Sequence, residues 1–202
     1  SLNSDWYLEY YMASYWAGAA VNPINIRWSA AEIAYSLDDC ETRILLVDDT
    51  FAPLIPEIKK LSSALKTLIH LGDGAAPQGM LSYEALVAEA APVEDAMRSG
   101  NDLAGVFYTG GTTGSPKGVM LSHGNLYTNS ILGVAEGTVR RGSIGLHAAP
   151  MFHLADGAFM NGLFAAGCCH VMLPRFDPIG VLQSIAAHGV TDMLLVPTMI
   201  QM

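Results

Sequence analysis

Residues 108–118, Tyr-Thr-Gly-Gly-Thr-Thr-Gly-Ser-Pro-Lys-Gly, combine the chemical groups that hold a phosphate. The glycines let the backbone bend and bring N–H groups close to an anion. The hydroxyl side chains add donors, and Lys117 adds a mobile positive charge. The stretch follows the apolar run Leu103–Tyr108, which has the length of a buried strand. We therefore expect a loop at the end of a strand that holds the polyphosphate of a nucleotide.

Two common nucleotide-binding loops do not fit this stretch. A Walker phosphate loop needs Gly-x-x-x-x-Gly-Lys followed by Ser or Thr, whereas Ser115-Pro116 separates Gly114 from Lys117 here. The dinucleotide fingerprint needs Gly-x-Gly-x-x-Gly, and residues 111–114 have the wrong glycine spacing for it. Another class of phosphate loop is required.

A second residue that could do chemistry is His153, which follows the predicted strand Gly145–Ala149. Ligands of α/β sheets bind beyond the carboxyl ends of the strands, so this position suits a binding or catalytic histidine. The alternative is a buried histidine whose ring is satisfied by backbone groups.

The strands and helices that must position these groups alternate along the chain. Local signals include the capping box at Ser29–Glu32, in which two side chains satisfy each other's backbone donors. The alternation predicts an α/β fold with a largely parallel, doubly wound sheet. The predicted strands are Ala19–Val21, Arg43–Val47, Thr67–Leu71, Leu103–Tyr108, Val119–Leu121, Gly145–Ala149, Cys168–Leu173 and Met193–Val196, and the later helices are Leu154–Ala166 and Ile179–Ala187.

Composition limits the kinds of partner and the environment. The net charge of −9 over 202 residues argues against nucleic acid and against an anionic membrane surface. The longest apolar stretch, Ala158–Leu173, is too short and too broken for a transmembrane segment. Three cysteines predict reduced thiols in a cytoplasmic protein, and the contiguous Cys168-Cys169-His170 predicts a buried strand rather than a metal site.

The twelve residues Tyr108–Val119 resemble the phosphate loop of the adenylate-forming superfamily, which includes acyl-CoA synthetases, firefly-type luciferases and peptide-synthetase adenylation domains. The usual pattern there is Tyr-Thr-Ser-Gly-Thr-Thr-Gly-x-Pro-Lys-Gly-Val, so Gly110 is the one departure, and it loses one hydroxyl. The resemblance covers nearly the whole chain and looks closest to acyl-CoA ligases. Further segments similar to the family, in the same order, are Ala17–Asn25, Leu121–Leu126, Ala149–His153 and Val196–Met199.

The resemblance implies a two-step reaction for the full-length protein. A carboxylate, expected to be a fatty acid, attacks the α-phosphorus of ATP and releases pyrophosphate, and coenzyme A then displaces AMP to give a thioester. The implied small molecules are ATP, Mg²⁺, coenzyme A and the acid, and a homodimer is the assembly considered. Residues 1–202 are expected to be one partial domain, a fragment of the AMP-binding N-terminal domain without the C-terminal domain. The family's aromatic-Gly-x-Thr-Glu segment is not found, so the fragment alone is expected to be inactive.

The resemblance also implies roles for individual residues. Lys117 and His153 are the expected catalytic residues, with His153 near the carboxylate and adenylate, where it donates a hydrogen bond or gates the acyl channel. Thr109 is also expected to position Mg²⁺, and Asp156 and Gly157 to shape the acyl pocket. The expected phosphate contacts are Thr109, Gly110, Gly111, Thr112, Thr113, Gly114, Ser115 and Lys117.

Two alternatives remain open at this point. The first is another adenylate-forming ligase, such as one that acts on aryl acids. The second is a non-catalytic module that binds a phosphate compound or a partner without turnover.

Overall fold

Helices and strands alternate along the chain in the computed structural model, which describes residues 1–110 and 116–202. The helices are α1 Asp5–Trp16, α2 Ala30–Asp39, α3 Ile55–Leu61, α4 Tyr83–Glu89, α5 His123–Ala135, α6 Leu154–Ala166, α7 Pro178–His188 and α8 Pro197–Ile200. The strands are β1 Ile44–Asp48, β2 Thr67–Leu71, β3 Leu81–Ser82, β4 Leu103–Thr109, β5 Lys117–Ser122, β6 Ile144–His147, β7 Cys169–Met172 and β8 Asp192–Met193. No helix in the described ranges is both long and apolar enough to cross a membrane.

The strands pair mainly in parallel, which confirms the predicted α/β class. One sheet has the order β1-β2-β3 and another the order β7-β6-β8, both with parallel neighbours. The exception is β4-β5, an antiparallel pair that forms a sheet of its own. Only residues 110–116 join these two strands, and a parallel pair would need a crossover of about a dozen residues or more. The described ends of the phosphate-loop stretch, Thr109 and Lys117, therefore lie together at one end of a hairpin.

Most helices and strands lie where the local sequence patterns predict them, and three predicted strands need correction. Residues 19–21 form no strand, because Val21 makes a single bridge to Gly105 and Pro23, which follows, has no N–H to donate. The last strand is shorter and earlier than predicted, at Asp192–Met193. The segment after Cys168 is a strand, but it is not a buried one, since Cys169 is exposed.

One apolar cluster connects the hairpin to the turn that precedes α6. Its buried members come from α1, β4, α6, that turn and the bridge residue Val21, and Phe152 packs against them. Phe107 lies two residues before the end of β4, and Phe152 directly precedes His153. The cluster thereby fixes the end of β4 relative to the histidine turn. The buried members are Tyr7, Tyr11, Val21, Phe107, Met151 and Met160.

Candidate functional site

The hairpin presents two of the predicted phosphate-binding residues side by side. Thr109 ends β4, Lys117 begins β5, and the two are cross-strand partners with exposed side chains. Gly110 follows in the open, and a Cβ built on it meets no described atom within 4 Å. Hydroxyl and ammonium groups are thus paired at one end of the hairpin, where a phosphate could reach both.

Five of the predicted contacts, Gly111, Thr112, Thr113, Gly114 and Ser115, lie outside the described residues.

The first residue of the motif, Tyr108, anchors the hairpin. Its hydroxyl donates to Asp39 Oδ2 at 2.7 Å, at the end of α2, and its ring meets Trp28 edge-on. Burial, followed by the hydrogen bond to Asp39, raises the pKa of Tyr108 far above its usual range. Across the hairpin lies Gly118, where a Cβ would come within 2.6 Å of Val106 Cγ1 and 3.1 Å of Tyr108 Cζ. The absence of a side chain at 118 therefore leaves room for the anchoring ring.

His153 is the N-cap residue of α6 and is exposed, so the alternative of a buried histidine is wrong. Its Nδ1 accepts a hydrogen bond from the Ala155 N–H at 3.2 Å, and its own backbone N–H donates to the Pro150 carbonyl at 3.0 Å. Since Nδ1 accepts, a neutral ring carries its proton on Nε2. Nε2 is then the atom that can donate a hydrogen bond to a carboxylate or an adenylate.

The turn before His153 is held by a residue that sequence reasoning missed. Asn3 is buried, and its Nδ2 donates to the carbonyls of Ala149 at 2.8 Å, His147 at 3.2 Å and Leu173 at 3.2 Å. Its Oδ1 accepts from the Met151 N–H at 2.9 Å. No sequence signal points to Asn3, because its partners lie more than 140 positions away and follow no local period.

Asp156 has a different environment from the one expected for a residue that shapes an acyl pocket. Its side chain is completely buried, and its Oδ2 lies 2.7 Å from His147 Nδ1. Burial raises the pKa of Asp156, while the hydrogen bond and charge of His147 act in the opposite direction. Gly157 is also buried, and a Cβ added to it would lie 3.5 Å from the Tyr11 hydroxyl. Both residues therefore belong to the packing beneath α6.

A cavity of about 610 Å³ lies elsewhere in the described part of the chain. Side chains of α1, β1 and residues 19–26 line it, and Thr109, Lys117 and His153 are not among its lining residues. The candidate residues are instead exposed, Thr109 and Lys117 at the end of the hairpin and His153 at the start of α6.

Mg²⁺ prefers oxygen ligands, keeps several waters and is often completed by substrate phosphates. Thr109 offers one exposed hydroxyl of that kind beside Lys117. Among residues 1–110 and 116–202, no group of three or more His, Cys, Asp or Glu could hold a metal ion on its own. The Thr109 hydroxyl is thus an oxygen of the kind that Mg²⁺ prefers, and its role as a metal ligand stays a prediction.

Comparisons with known proteins agree with this fold. The chain is 37% identical over 198 residues to a long-chain-fatty-acid–CoA ligase of Thermus thermophilus, covering 95% of this chain and 36% of that protein. Among solved structures, a long-chain-fatty-acid-CoA ligase from Archaeoglobus fulgidus superposes with a TM-score of 0.85 at 27% identity, over 99% of this chain and 39% of the other. ATP-bound MatB from Rhodopseudomonas palustris gives 0.81 at 31% identity, over 96% and 37%.

The chain spans little more than a third of the length of the curated relatives it matches. The model of the AMP-binding enzyme family matches residues 1–202, which is the whole chain. The chain therefore belongs to the AMP-binding enzyme family.

Proposed function

We propose that the full-length protein is an ATP-dependent acyl-CoA synthetase, of which this chain supplies the phosphate-binding part. The observation that carries the proposal is the placement of Thr109 and Lys117 as neighbours at the exposed hairpin end, with His153 on an adjoining turn. The shared apolar cluster of Phe107 and Phe152 supports that adjacency.

In the first step, a carboxylate attacks the α-phosphorus of ATP and pyrophosphate leaves. The attacking group and the nucleotide are both anions, so catalysis depends on positioning and on charge stabilisation. The Lys117 ammonium and the Thr109 hydroxyl bind the β- and γ-phosphates and hold the leaving pyrophosphate in line. The Thr109 hydroxyl would hold Mg²⁺, which when bound would supply positive charge beside the phosphates.

The Nε2–H of His153 donates to the substrate carboxylate and orients it toward the nucleotide. Its exposure leaves this donor accessible, and the bond from Ala155 to Nδ1 fixes the tautomer. In the second step, the coenzyme A thiol attacks the acyl-adenylate carbonyl and AMP leaves, giving the thioester.

We propose a fatty acid as the substrate. The relative from Thermus thermophilus is named as a long-chain-fatty-acid–CoA ligase, and this supports the assignment. An aryl acid is the competing possibility, and competition among acids of different length and ring content in the full-length enzyme separates the two.

The test is acid-dependent exchange of pyrophosphate into ATP by the full-length protein, with and without Lys117→Ala. Lys60→Ala is the matched control, because Lys60 is an exposed lysine on α3. We expect exchange in the wild type and in Lys60→Ala, and a loss of about a hundredfold or more in Lys117→Ala, since Lys117 contacts the phosphates in the transition state. Absence of exchange in the wild type would favour a non-catalytic binding module, and an unchanged rate in Lys117→Ala would remove the hairpin from the mechanism.

Two further proposals concern the location and the assembly of the protein. All three cysteines are free thiols, which supports a cytoplasmic location. A homodimer is the proposed assembly, and the molar mass of the full-length protein in solution tests it.

A further inference from the structure

Three polar side chains form a continuous hydrogen-bonded chain beneath the first turn of α6. Asp156 Oδ2 lies 2.7 Å from His147 Nδ1, and His147 Nε2 lies 2.9 Å from His170 Nδ1. Asp156 and His147 are completely buried, and His170 is half-buried. The two imidazole rings are almost parallel, with 6° between their planes. A buried chain of this kind is costly unless its members satisfy one another.

The three residues come from three elements that meet at one face of a sheet. In the parallel pairing of β6 with β7, Gly145 lies opposite His170, so His147 projects from the same face as His170. Helix α6 packs on this face: Leu163 occupies the space that a side chain at Gly145 would need, and Phe159 lies 5.5 Å from the His147 ring. Asp156 is seven positions before Leu163 and thus on the same side of the helix.

The placement of the protons follows from the chemistry of the groups. A carboxylate only accepts, so the His147 proton on Nδ1 donates to Asp156, and Nε2 of His147 accepts from the Nδ1–H of His170. Burial, and then the proximity of His147, lowers the pKa of His170 to about 4, which keeps that ring neutral near pH 7. Burial raises the pKa of Asp156, and the bond from His147 and the positive end of the helix dipole at the first turn of α6 act in the opposite direction, toward the carboxylate.

This hydrogen-bonded chain is linked to His153 through the backbone of the first turn of α6. The His153 carbonyl accepts from the Gly157 N–H at 3.0 Å, and Asp156 is the residue next to Gly157. The same turn holds the bond from Ala155 to His153 Nδ1. Any rotation of the first turn of α6 therefore moves the His153 ring.

We infer that Asp156, through His147 and His170, is a positioning residue that fixes the first turn of α6 and with it the His153 ring. The inference rests on the proposed function for its kinetic consequence. The structural coupling between Asp156 and His153 follows from the geometry alone and does not depend on the proposed function. Asp156 does not touch substrate in this arrangement, so it acts through His153.

The kinetic test uses the full-length protein and a double-mutant cycle. Asp156→Ala removes the carboxylate to which His147 donates, whereas Asp156→Asn keeps an oxygen that accepts from His147 Nδ1–H. We expect Asp156→Ala to lower kcat/KM for the acid about tenfold to a hundredfold, the effect of a small misplacement, and Asp156→Asn to retain most activity. Combined with His153→Ala, Asp156→Ala should cause no further loss. Losses that multiply in the double variant, or wild-type kinetics in Asp156→Ala, would overturn the inference.

Two further variants keep the test decisive if Asp156→Ala folds poorly. His170→Leu removes the half-buried end of the hydrogen-bonded chain. We expect a several-fold loss in kcat/KM for the acid, and this loss should likewise be absent in the His153→Ala background. Asp177→Ala is the matched control, because Asp177 caps α7 by accepting from the Gly180 N–H at 2.6 Å. It removes a carboxylate from another helix start, so it should reduce stability without any coupling to His153.

A second readout does not depend on activity. In ¹⁵N-histidine NMR spectra, the His153 resonances, assigned by their loss in His153→Ala, should shift in Asp156→Ala and His170→Leu and stay in place in Asp177→Ala. Unchanged His153 resonances in both Asp156→Ala and His170→Leu would refute the inference even if the protein had no adenylation activity. Shifted resonances with an inactive wild type would instead refute only the proposed function.

Discussion

The Asn3 side chain accepts a hydrogen bond from the Met151 N–H at 2.9 Å and so joins the start of the chain to the turn before His153. The two N–H groups of the same amide are shared among three carbonyls, those of His147, Ala149 and Leu173. The donors of this buried amide are thus used on two neighbouring chain segments. Tyr11 adds a bond from its hydroxyl to the Met151 carbonyl at 3.3 Å. The position of the histidine turn therefore depends on residues at the other end of the chain.

The first prediction concerns Asn3→Asp, which keeps the size and one acceptor but removes the amide donors. A carboxylate would then face three carbonyl oxygens in a buried site, so we expect a loss of about 2 to 4 kcal/mol in the free energy of unfolding. Asn101→Asp is the control, because Asn101 is exposed and should change stability little. Denaturant unfolding of both variants measures the difference, and equal stabilities would contradict the clamp.

A second prediction contrasts two glycines of the hairpin. Gly118→Val places a side chain against Val106 and Tyr108, so we expect a loss of about 1 to 3 kcal/mol from overpacking. Gly110→Ser restores the family's usual residue where a Cβ meets no described atom, so we expect no measurable change in stability. Thermal unfolding of the two variants side by side provides the measurement. A Gly110→Ser variant as unstable as Gly118→Val would show that the open space at 110 is occupied.

The sequence predicted those parts of the molecule that local chemistry determines. The Ser29–Glu32 capping box, the strand Thr67–Leu71 and the helix Leu154–Ala166 all lie where their patterns indicate. The local pattern carries no pairing direction, so it could not predict the antiparallel hairpin. The link of Asp156 to His147 joins a helix to a strand, and neither residue belongs to a period that would reveal it.

The motif predicted the placement of some site residues but not the contacts of others. Thr109 and Lys117 were expected to contact the same phosphates, and the register of the hairpin places them opposite each other. Their roles in binding phosphate stay predictions, as does the catalytic role of His153. Tyr108 belongs to the same motif, yet the structure gives it an anchoring contact with Asp39, which the spacing of the motif could not indicate.

A third prediction follows from the environment of His170. Its pKa is lowered from 6.5 to about 4 by burial and then by His147, while Asp156 and His147 are the titratable groups that continue the chain. Between these values the unfolded chain binds the proton and the folded chain does not, so stability is complete above about pH 6.5 and falls as the pH drops toward about 4. The contribution is about 1 to 2 kcal/mol after allowance for solvent screening. In denaturant unfolding, the free energy of unfolding should fall less between pH 6.5 and 4 in His170→Leu than in the wild type. An identical pH dependence in both proteins would exclude a contribution from His170.

A fourth prediction concerns Asp38, whose carboxylate clamps the turn after α3. It accepts from the Ser62 hydroxyl at 2.6 Å and from the Ser63 and Ala64 N–H groups at 3.0 and 2.9 Å. These bonds, that of Ser62 foremost, lower the pKa of Asp38 from 3.8 to about 2. The stabilisation is therefore complete above about pH 4 and is lost as the pH falls through about 2. Wild type and Asp38→Ala should differ in unfolding midpoint near pH 7 and converge in acid, whereas a constant difference would contradict this assignment.

The last prediction separates the two functions of the His153 ring, capping α6 and donating to substrate. Asparagine is a good N-cap residue, so His153→Asn can replace the bond from Ala155 to Nδ1 but has no donor where Nε2 lies. We expect His153→Asn to unfold like the wild type and to lose about tenfold or more in acid-dependent pyrophosphate exchange, because the transition state loses one oriented donor. His153→Ala should lose the exchange activity and also about 1 kcal/mol of stability with the cap. Full exchange activity in His153→Asn would mean that the ring serves α6 alone, and the residue that orients the carboxylate would have to be sought elsewhere.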